Sequence, residues 1–486
     1  MNDIVANNAE NALEPATPLI VSPPDAASAT KPETPSSAAN AADAASAAKP
    51  AEPPKKAAFP PPAGMPTQEG RLGLRYDFNQ GARLVLPPRT EGSWLVRLSD
   101  LDTGNILFQS ENTGAFVASA KRFYVRFRVE VWEKIGGKET LVLEHNYDCR
   151  DREVIIQFPI GTLGDILAWF PYAARFQQVH GCKLTCAMSE LIIPLLKDAY
   201  PEINFVTHEE MTAQKLETKA YATYSLGLFF GDTDCLNQPT DFRFVGLHRT
   251  AGYILGVDPT EEAPRLAPTD DTPPIEGPYV VIAVQSSTQC KYWNNPHGWR
   301  EIVKYLKSQG YRVICIDQRA THGTGLVWNH IPNGAEDETG DRPLLERVRW
   351  LRHASAFIGL SSGLSWLAWA AGVPVVMISG FTHPTNEFTT PYRVINWHAC
   401  NSCWNDSAHR FDHQDFMWCP RHANTPRQFE CTRLITAAQV MQVIARIPGL
   451  IATKTDTETK TPETKTPETK TPATRTTATA APSTTV

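Results

Sequence analysis

Residues 153–178 read EVIIQFPIGTLGDILAWFPYAARFQQ, and this stretch decides the fold class. A mostly apolar run, EVIIQF, precedes a loop with proline and two glycines, and a long segment with helical spacing follows. Strands without polar alternation are typical of a parallel sheet covered by helices on both faces. The stretch therefore predicts a strand, a tight turn and a helix of an α/β protein. Pro171 is expected to kink this helix or to fix where it starts.

The same alternation continues towards the C-terminus. KLTCAM, INFVTH and YATYSLGLFF are predicted strands, and SELIIPLLKDAYP is a predicted helix. After a proline-rich hinge, a second series of strands and helices begins at YVVIAVQSS and closes with the helix ITAAQVMQVIARI. Two such series predict two doubly wound, Rossmann-like lobes that face a cleft, at residues 153–268 and 278–452.

The region before the first lobe has a different pattern. Between residues 70 and 152, short runs such as SWLVRLSD and ETLVLEHNYD are separated by turn sequences such as DTGN and IGGK. This spacing predicts a small all-β domain. The domain is either a structural appendage or a surface for self-association or for docking a partner.

Both ends of the chain are of low complexity. Residues 1–69 are rich in Ala and Pro, and residues 453–486 repeat KTPET, so we expect both segments to be disordered. The net charge of −6 gives no electrostatic argument for nucleic acid. No apolar run is long enough to span a bilayer, and the N-terminus lacks the basic and apolar regions of a secretory signal. We therefore expect a cytoplasmic protein that does not insert into membranes.

Four of the ten cysteines are spaced like metal ligands. Cys400 and Cys403 form a CxxC pair, and Cys419 and Cys431 follow within residues 397–432. Four thiolates can complete a closed tetrahedral site with no position left for a substrate. We predict that a metal at this site cross-links and stabilises an insert that is too polar to build its own core. Spacing alone favours zinc, although an all-thiolate site suits iron as well.

Other interpretations of this insert stay open. A histidine could replace one cysteine as a ligand; the candidates are His398, His409, His413 and His422. A redox role for the CxxC pair is weaker, because the pair does not lie between a strand and a helix as in thioredoxin-like proteins.

The turn at the start of the first predicted helix carries candidate site residues. It consists of Gly161, Thr162, Leu163, Gly164 and Asp165. Glycines let a backbone approach a ligand closely, and a helix N-terminus favours an anion. Asp165 is either an N-cap or a general base, and we expect the helix dipole to lower its pKa.

Two further loops follow predicted strands of the second lobe. Ser286, Ser287 and Lys291 offer hydroxyls and an ammonium group that suit a diphosphate, although an ordinary polar loop has the same composition. The other loop could bind phosphate through its backbone N–H groups, although serine and glycine are also common in turns. It consists of Ser361, Ser362, Gly363 and Leu364.

Taken together, these motifs resemble a known enzyme family. GTLGD, SSTQCKYWNNPHGWREI and GLSSGLSWLAWAAGVPVV resemble the heptosyltransferases that use ADP-heptose on a GT-B scaffold. With the leading β domain and the four-cysteine insert, the chain is similar to the bacterial autotransporter heptosyltransferases, which glycosylate serines of adhesin-type autotransporters. The resemblance covers about residues 70 to 450.

The resemblance implies a role for each candidate loop. Asp165 would be the catalytic base of an inverting single displacement. Ser286, Ser287 and Lys291 would contact the diphosphate, and the turn of Ser361, Ser362, Gly363 and Leu364 would contact phosphate and sugar. The lipopolysaccharide-directed branch usually has aspartate and histidine where this chain has Ser361 and Trp366, a departure that fits a protein-directed branch.

The resemblance also implies ligands and partners. The donor would be ADP-heptose and the acceptor the passenger domain of an autotransporter. Each subunit would hold one structural iron on the four cysteines, with no catalytic metal, and twelve subunits would form a ring. The alternatives are a heptosyltransferase of the lipopolysaccharide core and a non-catalytic, metal-stapled adaptor for an autotransporter.

Overall fold

The computed structural model describes residues 59–451 and a two-residue strand at 20–21. Most of the two segments predicted to be disordered therefore lies outside the described residues. Residues 59–69 do not, and they pack on the first lobe. The Thr67 hydroxyl donates to the carbonyl of Ala220 at 2.7 Å, and Arg75 Nε donates to the carbonyl of Pro66 at 2.8 Å. The predicted boundary at residue 69 is therefore too late in the chain.

Strands and helices alternate along most of the described residues. The strands are β1 (Ile20–Val21), β2 (Gln68–Glu69), β3 (Arg75–Asn79), β4 (Arg83–Leu86), β5 (Ser93–Asp100), β6 (Ile106–Asn112), β7 (Ala115–Ala118), β8 (Phe127–Ile135), β9 (Lys138–Asn146), β10 (Glu153–Gln157), β11 (Lys183–Ala187), β12 (Asn204–Val206), β13 (Ala222–Ser225), β14 (Tyr279–Ile282), β15 (Arg312–Cys315), β16 (Thr321–Thr324), β17 (Val327–His330), β18 (Glu336–Asp337), β19 (Ala356–Leu360), β20 (Val375–Ile378) and β21 (Arg393–Val394). The α-helices are α1 (Leu163–His180), α2 (Ile193–Leu196), α3 (His208–Ala213), α4 (Phe242–Val245), α5 (Arg249–Leu255), α6 (Gly298–Ser308), α7 (Leu344–Arg352), α8 (Gly363–Ala370), α9 (Glu430–Arg433) and α10 (Ala437–Ile444).

The first lobe is built on a nine-stranded sheet in the order β1-β7-β4-β3-β13-β10-β11-β12, with β2 beside β3. The five strands from β3 to β12 in this order are parallel. The chain runs from β10 to β11 on one side and returns to β13 on the other. Ligands of such sheets bind outside the carboxyl ends of the strands, where the order reverses. In this lobe that point lies between β10 and β13.

The predicted β domain is not separate from this sheet. β3, β4 and β7 belong to it, and β3 pairs directly with β13, with Phe78 opposite Ala222. The rings of Phe78 and Tyr221 lie 5.1 Å apart in a core that both regions share. The remaining strands form a four-stranded antiparallel sheet in the order β6-β5-β8-β9. Local alternation predicted the strands, whereas their pairing depends on residues far along the chain.

The second lobe has a six-stranded sheet in the order β18-β15-β14-β19-β20-β21, and every neighbouring pair is parallel. β14 and β19 are fully buried, as expected for strands covered by helices on both faces. The strand order reverses between β14 and β19. The loops after these two strands therefore point to the same crevice.

Several elements differ from the sequence-based expectations, among them helices α3, α4 and α5, which were not predicted. The helix predicted over SELIIPLLKDAYP begins only at Ile193, because Pro194 lacks an N–H group and restricts the residue before it. A 3-10 turn at Lys197–Ala199 follows α2 directly. The strand predicted over YATYSLGLFF ends at Ser225. The hairpin of β16 and β17 was not predicted, and Leu326 at its tip is fully exposed.

Helix α1 runs unbroken from Leu163 to His180, so Pro171 neither starts it nor ends it. It packs against α5 in its own lobe and against α8 of the second lobe. The contact between α1 and α8 brings the two lobes together at the switch points of their sheets. Among the described helices, none is long and apolar enough to cross a membrane.

Candidate active site

A cleft of about 680 Å³ lies where the two lobes meet. Every residue that the sequence analysis proposed for the donor, acceptor or catalytic role lines this cleft. They are Gly161, Thr162, Leu163, Gly164, Asp165, Ser286, Ser287, Lys291, Ser361, Ser362, Gly363 and Leu364. Parallel strands explain this convergence, because the loops after β10, β14 and β19 all start at the carboxyl ends of strands in their sheets.

Asp165 lies in the first turn of α1, facing the cleft. Thr162 is the N-cap residue, so Asp165 is not the cap. Burial raises the pKa of the Asp165 carboxyl, and a hydrogen bond from Thr162 and the positive charge of Lys291 only partly oppose this. The expectation that the helix dipole lowers this pKa was therefore wrong, since the loss of solvent outweighs the favourable charges.

Lys291 enters the cleft from the second lobe. Its Nζ lies 5.3 Å from the ring centre of Phe381 and 5.5 Å from that of Phe411. Cation–π attraction holds an ammonium group over aromatic faces, and no carboxylate within residues 59–451 forms an ion pair with Lys291 that would cancel its charge. Lys291 therefore offers a cation to an anionic ligand, and its charge reaches Asp165 across the cleft.

The start of α8 forms a third wall of the cleft. Ser362 is its N-cap residue, and the Ser362 Oγ is buried with no hydrogen-bond partner among the described residues. The same is true of the Nε2 of Gln285, which also lines the cleft. Buried polar atoms are normally satisfied, so two orphaned atoms on one cleft indicate that a polar ligand completes it. The free N–H groups of a helix start suit a phosphate.

Sequence reasoning missed Asp317, which directly follows β15. Its buried carboxylate accepts hydrogen bonds from the backbone N–H groups of Val284, at 2.8 Å, and Gln285, at 3.2 Å. It thereby fixes the backbone that leads into the Ser286–Lys291 loop. Burial raises the pKa of Asp317 to about 6. Its place at the end of a strand was a usable signal, because that is where ligands of α/β sheets bind.

Other cleft residues had no sequence signal of their own. Arg319, His322 and Arg342 line the cleft from the second lobe. Glu387 lines it from the loop after β20 and is almost completely buried, in an ion pair with Arg393.

Trp366, one of the two departures noted in the sequence, packs between the lobes. Its ring lies 5.0 Å from that of Phe388 and 5.9 Å from that of His248 in the first lobe. Its side chain is buried although the residue also touches the cleft. Packing between the lobes is therefore the role that the structure gives it.

The four cysteines of the insert lie close enough to influence one another. Burial, followed by the charges of Cys400 and Cys419, raises the pKa of Cys403 to about 12. Burial and the other three thiols also raise the pKa of Cys431. As a donor set they suit a four-thiolate iron or zinc site. Within residues 59–451, no three Cys, His, Asp or Glu side chains are gathered closely enough to bind a metal.

The histidines of the insert face other partners. His409 Nε2 lies 3.8 Å from Asp406, and His422 Nε2 lies 3.9 Å from Glu430. His413 packs on the ring of Phe411 at 4.5 Å and lines the cleft.

The insert shares a buried core with both lobes, which is consistent with the expectation that it is too polar to build one of its own. Its aromatic side chains form a buried cluster with residues of both lobes; the cluster contains Phe242, Cys290, Phe381, Trp404, Phe411, Trp418 and Phe429. Phe411 lies 5.1 Å from Trp418 and 5.3 Å from Trp404. Since Phe411 also lies under Lys291, the insert forms part of the cleft wall.

Two family models match the chain. Residues 70–135 match the N-terminal domain of the glycosyltransferase TibC, and residues 255–417 match glycosyltransferase family 9, the heptosyltransferases. The first match covers the β-rich region, and the second covers most of the lobe that contributes Lys291 and the start of α8.

Curated relatives match over most of the chain. The autotransporter heptosyltransferase BAHTCr of Citrobacter rodentium is 56% identical over 398 residues, which cover 81% of this chain and 94% of that protein. A relative described as the inactive autotransporter heptosyltransferase BimC, from Burkholderia thailandensis, is 47% identical over 81% of this chain and 90% of its own.

The structural match is equally extensive. The crystal structure of TibC from enterotoxigenic E. coli H10407, described as an iron-containing dodecameric glycosyltransferase, superposes with a TM-score of 0.75 at 56% identity. It covers 80% of this chain and 99% of TibC. A second structure of TibC, in complex with ADP-D-β-D-heptose, gives a TM-score of 0.73. The resemblance seen in the sequence motifs is confirmed: the chain belongs to the autotransporter heptosyltransferase family.

Proposed function

We propose that this protein transfers heptose from ADP-heptose to serine hydroxyls of an autotransporter adhesin. The observation that carries the proposal is the pairing of Asp165 and Lys291 on opposite walls of one cleft that also contains the start of α8. The arrangement offers a base on one side and donors for a diphosphate on the other. The complex of TibC with ADP-D-β-D-heptose supports the choice of donor.

In this proposal, Asp165 removes the proton of the attacking serine. The serine oxygen forms a bond to the anomeric carbon while the bond from that carbon to the diphosphate oxygen breaks. A carboxyl with a raised pKa is a stronger base than an ordinary aspartate, and its position in the cleft lets it accept the proton. Attack opposite to the leaving group inverts the anomeric centre.

The leaving ADP takes the electron pair of the broken bond. Lys291, Ser286 and Ser287 contact its phosphates from one loop, and the N–H groups at the start of α8 contact them from another. Donors that are already oriented stabilise developing negative charge without reorganising during the reaction. Asp317 supports the first loop by holding the backbone N–H groups of Val284 and Gln285.

We further infer a GT-B arrangement, with the first lobe on the acceptor side and the second on the donor side. Cys400, Cys403, Cys419 and Cys431 would hold one iron, which would cross-link the insert and keep Phe411 in place beneath Lys291. TibC is described as dodecameric and iron-containing, which supports a ring of subunits and iron rather than zinc.

Intact-mass analysis of an autotransporter passenger fragment tests the transfer directly. Co-expression with the wild-type protein should add about 192 Da for each heptose transferred, which gives a ladder of evenly spaced masses. Asp165→Ala should abolish this ladder if the base is essential. A ladder that survives in Asp165→Ala would retain the transferase and remove Asp165 from its mechanism. No added mass with the wild-type protein would refute the proposed acceptor.

A second candidate function is a non-catalytic adaptor that binds the autotransporter. BimC, at 47% identity, is described as inactive, so the fold does not guarantee transfer. An adaptor needs neither Asp165 nor Lys291 in the cleft. Passenger binding without added mass, unchanged by Asp165→Ala, would favour this candidate.

A further inference from the structure

Glu387 places a buried negative charge on the cleft wall beside the Ser361–Leu364 turn. Its side chain is 1% exposed, and its Oε2 accepts a hydrogen bond from Nη1 of Arg393 in a buried ion pair. Nη2 of Arg393 also donates to the carbonyl of Phe388 at 3.2 Å, which holds the guanidinium in one orientation. Burying such a pair is costly unless its geometry is well satisfied, and the steps described above do not use it.

The other carboxylate oxygen of Glu387 accepts hydrogen bonds from two hydroxyl groups. Ser361 Oγ donates to Glu387 Oε1, and Thr382 Oγ1 donates to the same oxygen at 2.7 Å. Thr382 Oγ1 also lies 3.1 Å from Ser361 Oγ. A bond to a carboxylate is stronger than one between hydroxyls, so both protons point to Glu387. Ser361 and Thr382 both line the cleft and then have no proton left to donate to a ligand, although Ser379 Oγ lies 3.0 Å from Thr382 Oγ1 and can occupy one of its lone pairs.

We infer that Glu387 is a positioning and specificity-determining residue: through Ser361 and Thr382 it makes this wall accept hydrogen bonds from the hydroxyl groups of the donor sugar. This inference rests on the proposed function. A polyol donates hydrogen bonds and fits such a wall. A diphosphate only accepts hydrogen bonds and carries negative charge, so the same wall disfavours it.

Two kinds of polar group therefore lie side by side on this cleft. Lys291 and the orphaned Ser362 Oγ at the start of α8 offer a cation and a hydroxyl donor. Glu387 turns the neighbouring hydroxyls of Ser361 and Thr382 into acceptors. A sugar nucleotide can therefore place its phosphates at Lys291 and the start of α8 while its sugar hydroxyls donate to Ser361.

The test compares the binding of ADP with that of ADP-heptose by titration calorimetry, using the full chain. In Glu387→Gln the amide can donate to Ser361 and Thr382, which disturbs both hydroxyl orientations. We expect the affinity for ADP to stay within about threefold of the wild type, and the affinity for ADP-heptose to fall at least about tenfold. Glu336→Gln is the matched control, because Glu336 forms an ion pair with Arg312 at 2.5 Å and is not on the cleft.

Thr382→Val provides a second variant should Glu387→Gln fold poorly. It removes one oriented hydroxyl, keeps the ion pair of Glu387 and Arg393, and should also weaken ADP-heptose binding selectively. Parallel losses for ADP and ADP-heptose in both variants would show a purely structural role and overturn the inference. Full retention of ADP-heptose affinity in Glu387→Gln would overturn it as well. If the wild-type protein binds ADP-heptose no more tightly than ADP, the proposed donor is refuted. The proposed role of Glu387 in binding the donor sugar is then refuted as well.

Discussion

Gly164 of the first lobe and Gly363 of the second lobe meet where α1 and α8 begin. A Cβ atom on Gly363 would lie 3.2 Å from the backbone nitrogen of Gly164, and a Cβ atom on Gly164 would lie 2.9 Å from Cδ1 of Trp366. From the sequence, the glycines of this turn were expected to let the backbone approach a ligand closely. The structure instead shows that Gly164 allows the two lobes to approach each other.

Replacing Gly164 with alanine should disturb this contact. The new methyl group must displace Trp366 or separate the helices, and overpacking of this kind costs about 1–3 kcal/mol. We expect a lower melting temperature and a loss of transferase activity of about tenfold, because Asp165 is the next residue and moves with the backbone. Gly64→Ala is the control, since no atom lies within 4 Å of a Cβ built there. Equal activity of the two variants would contradict the prediction.

The pH dependence of transfer should reveal Asp165. A general base must be deprotonated to act, so activity falls as the pH is lowered through its pKa. Burial raises this pKa above its usual value of 3.8, which moves the acidic limb of kcat/KM to higher pH than for an exposed aspartate. Asp165→Asn should lower kcat by about 10²- to 10⁴-fold. Circular dichroism at each pH separates this effect from unfolding. An acidic limb at the ordinary aspartate value would contradict the assignment.

Asp317 should make the stability of the fold depend on pH in the opposite sense to most carboxylates. Its pKa is about 6 in the folded protein against 3.8 as a reference, so the folded state binds the proton more tightly. Stability due to this group is therefore gained as the pH falls through 6 and is lost as the pH rises. Between pH 7 and pH 5 the wild type should gain about 1 kcal/mol in free energy of unfolding relative to Asp317→Asn. Urea unfolding at both pH values measures this. A constant difference between the two proteins would disprove it.

The metal prediction concerns Cys403. Replacing one thiolate ligand by serine should reduce the iron bound per chain from about one to well below half, and should lower the melting temperature, because binding energy at a structural site is folding energy. Elemental analysis of the purified protein measures the iron. Cys235→Ser is the control, because Cys235 is a free cysteine outside the insert. Equal iron in both variants would exclude Cys403 as a ligand.

Local sequence patterns predicted most strands and helices. The parallel sheets that these elements imply place the candidate residues around one cleft. EVIIQF and ASAFIGL are apolar on both faces, and they became the buried strands β10 and β19. Because these strands lie in parallel sheets, the residues after them had to meet at one edge. The convergence of Asp165, Lys291 and Ser362 on one cleft follows from this rule and needs no knowledge of a ligand.

Features that depend on distant contacts could not be predicted in the same way. The pKa direction of Asp165 depends on how deeply the folded protein buries its carboxyl, and nothing in GTLGD reports that. Glu387 becomes notable only when Arg393, Ser361 and Thr382 surround it. The aromatic core of the insert was hidden because its members are scattered among polar residues and join Phe242 and Phe381 from outside it.

The pairing of β3 with β13 has a consequence for how the chain folds during its synthesis. Thr223 Oγ1 donates to Oδ1 of Asn79 at 2.7 Å, a contact between residues 144 positions apart. β3 therefore leaves the ribosome long before the strand that completes its side of the sheet. Until β13 emerges, β2 pairs only with Arg75 and Tyr76 on this edge of β3, so Phe78 and Asn79 lack their strand partner. Contacts of such long separation form slowly. The N-terminal part cannot reach its final sheet as an independent nascent unit, and the first lobe is expected to fold only after both its ends have been translated.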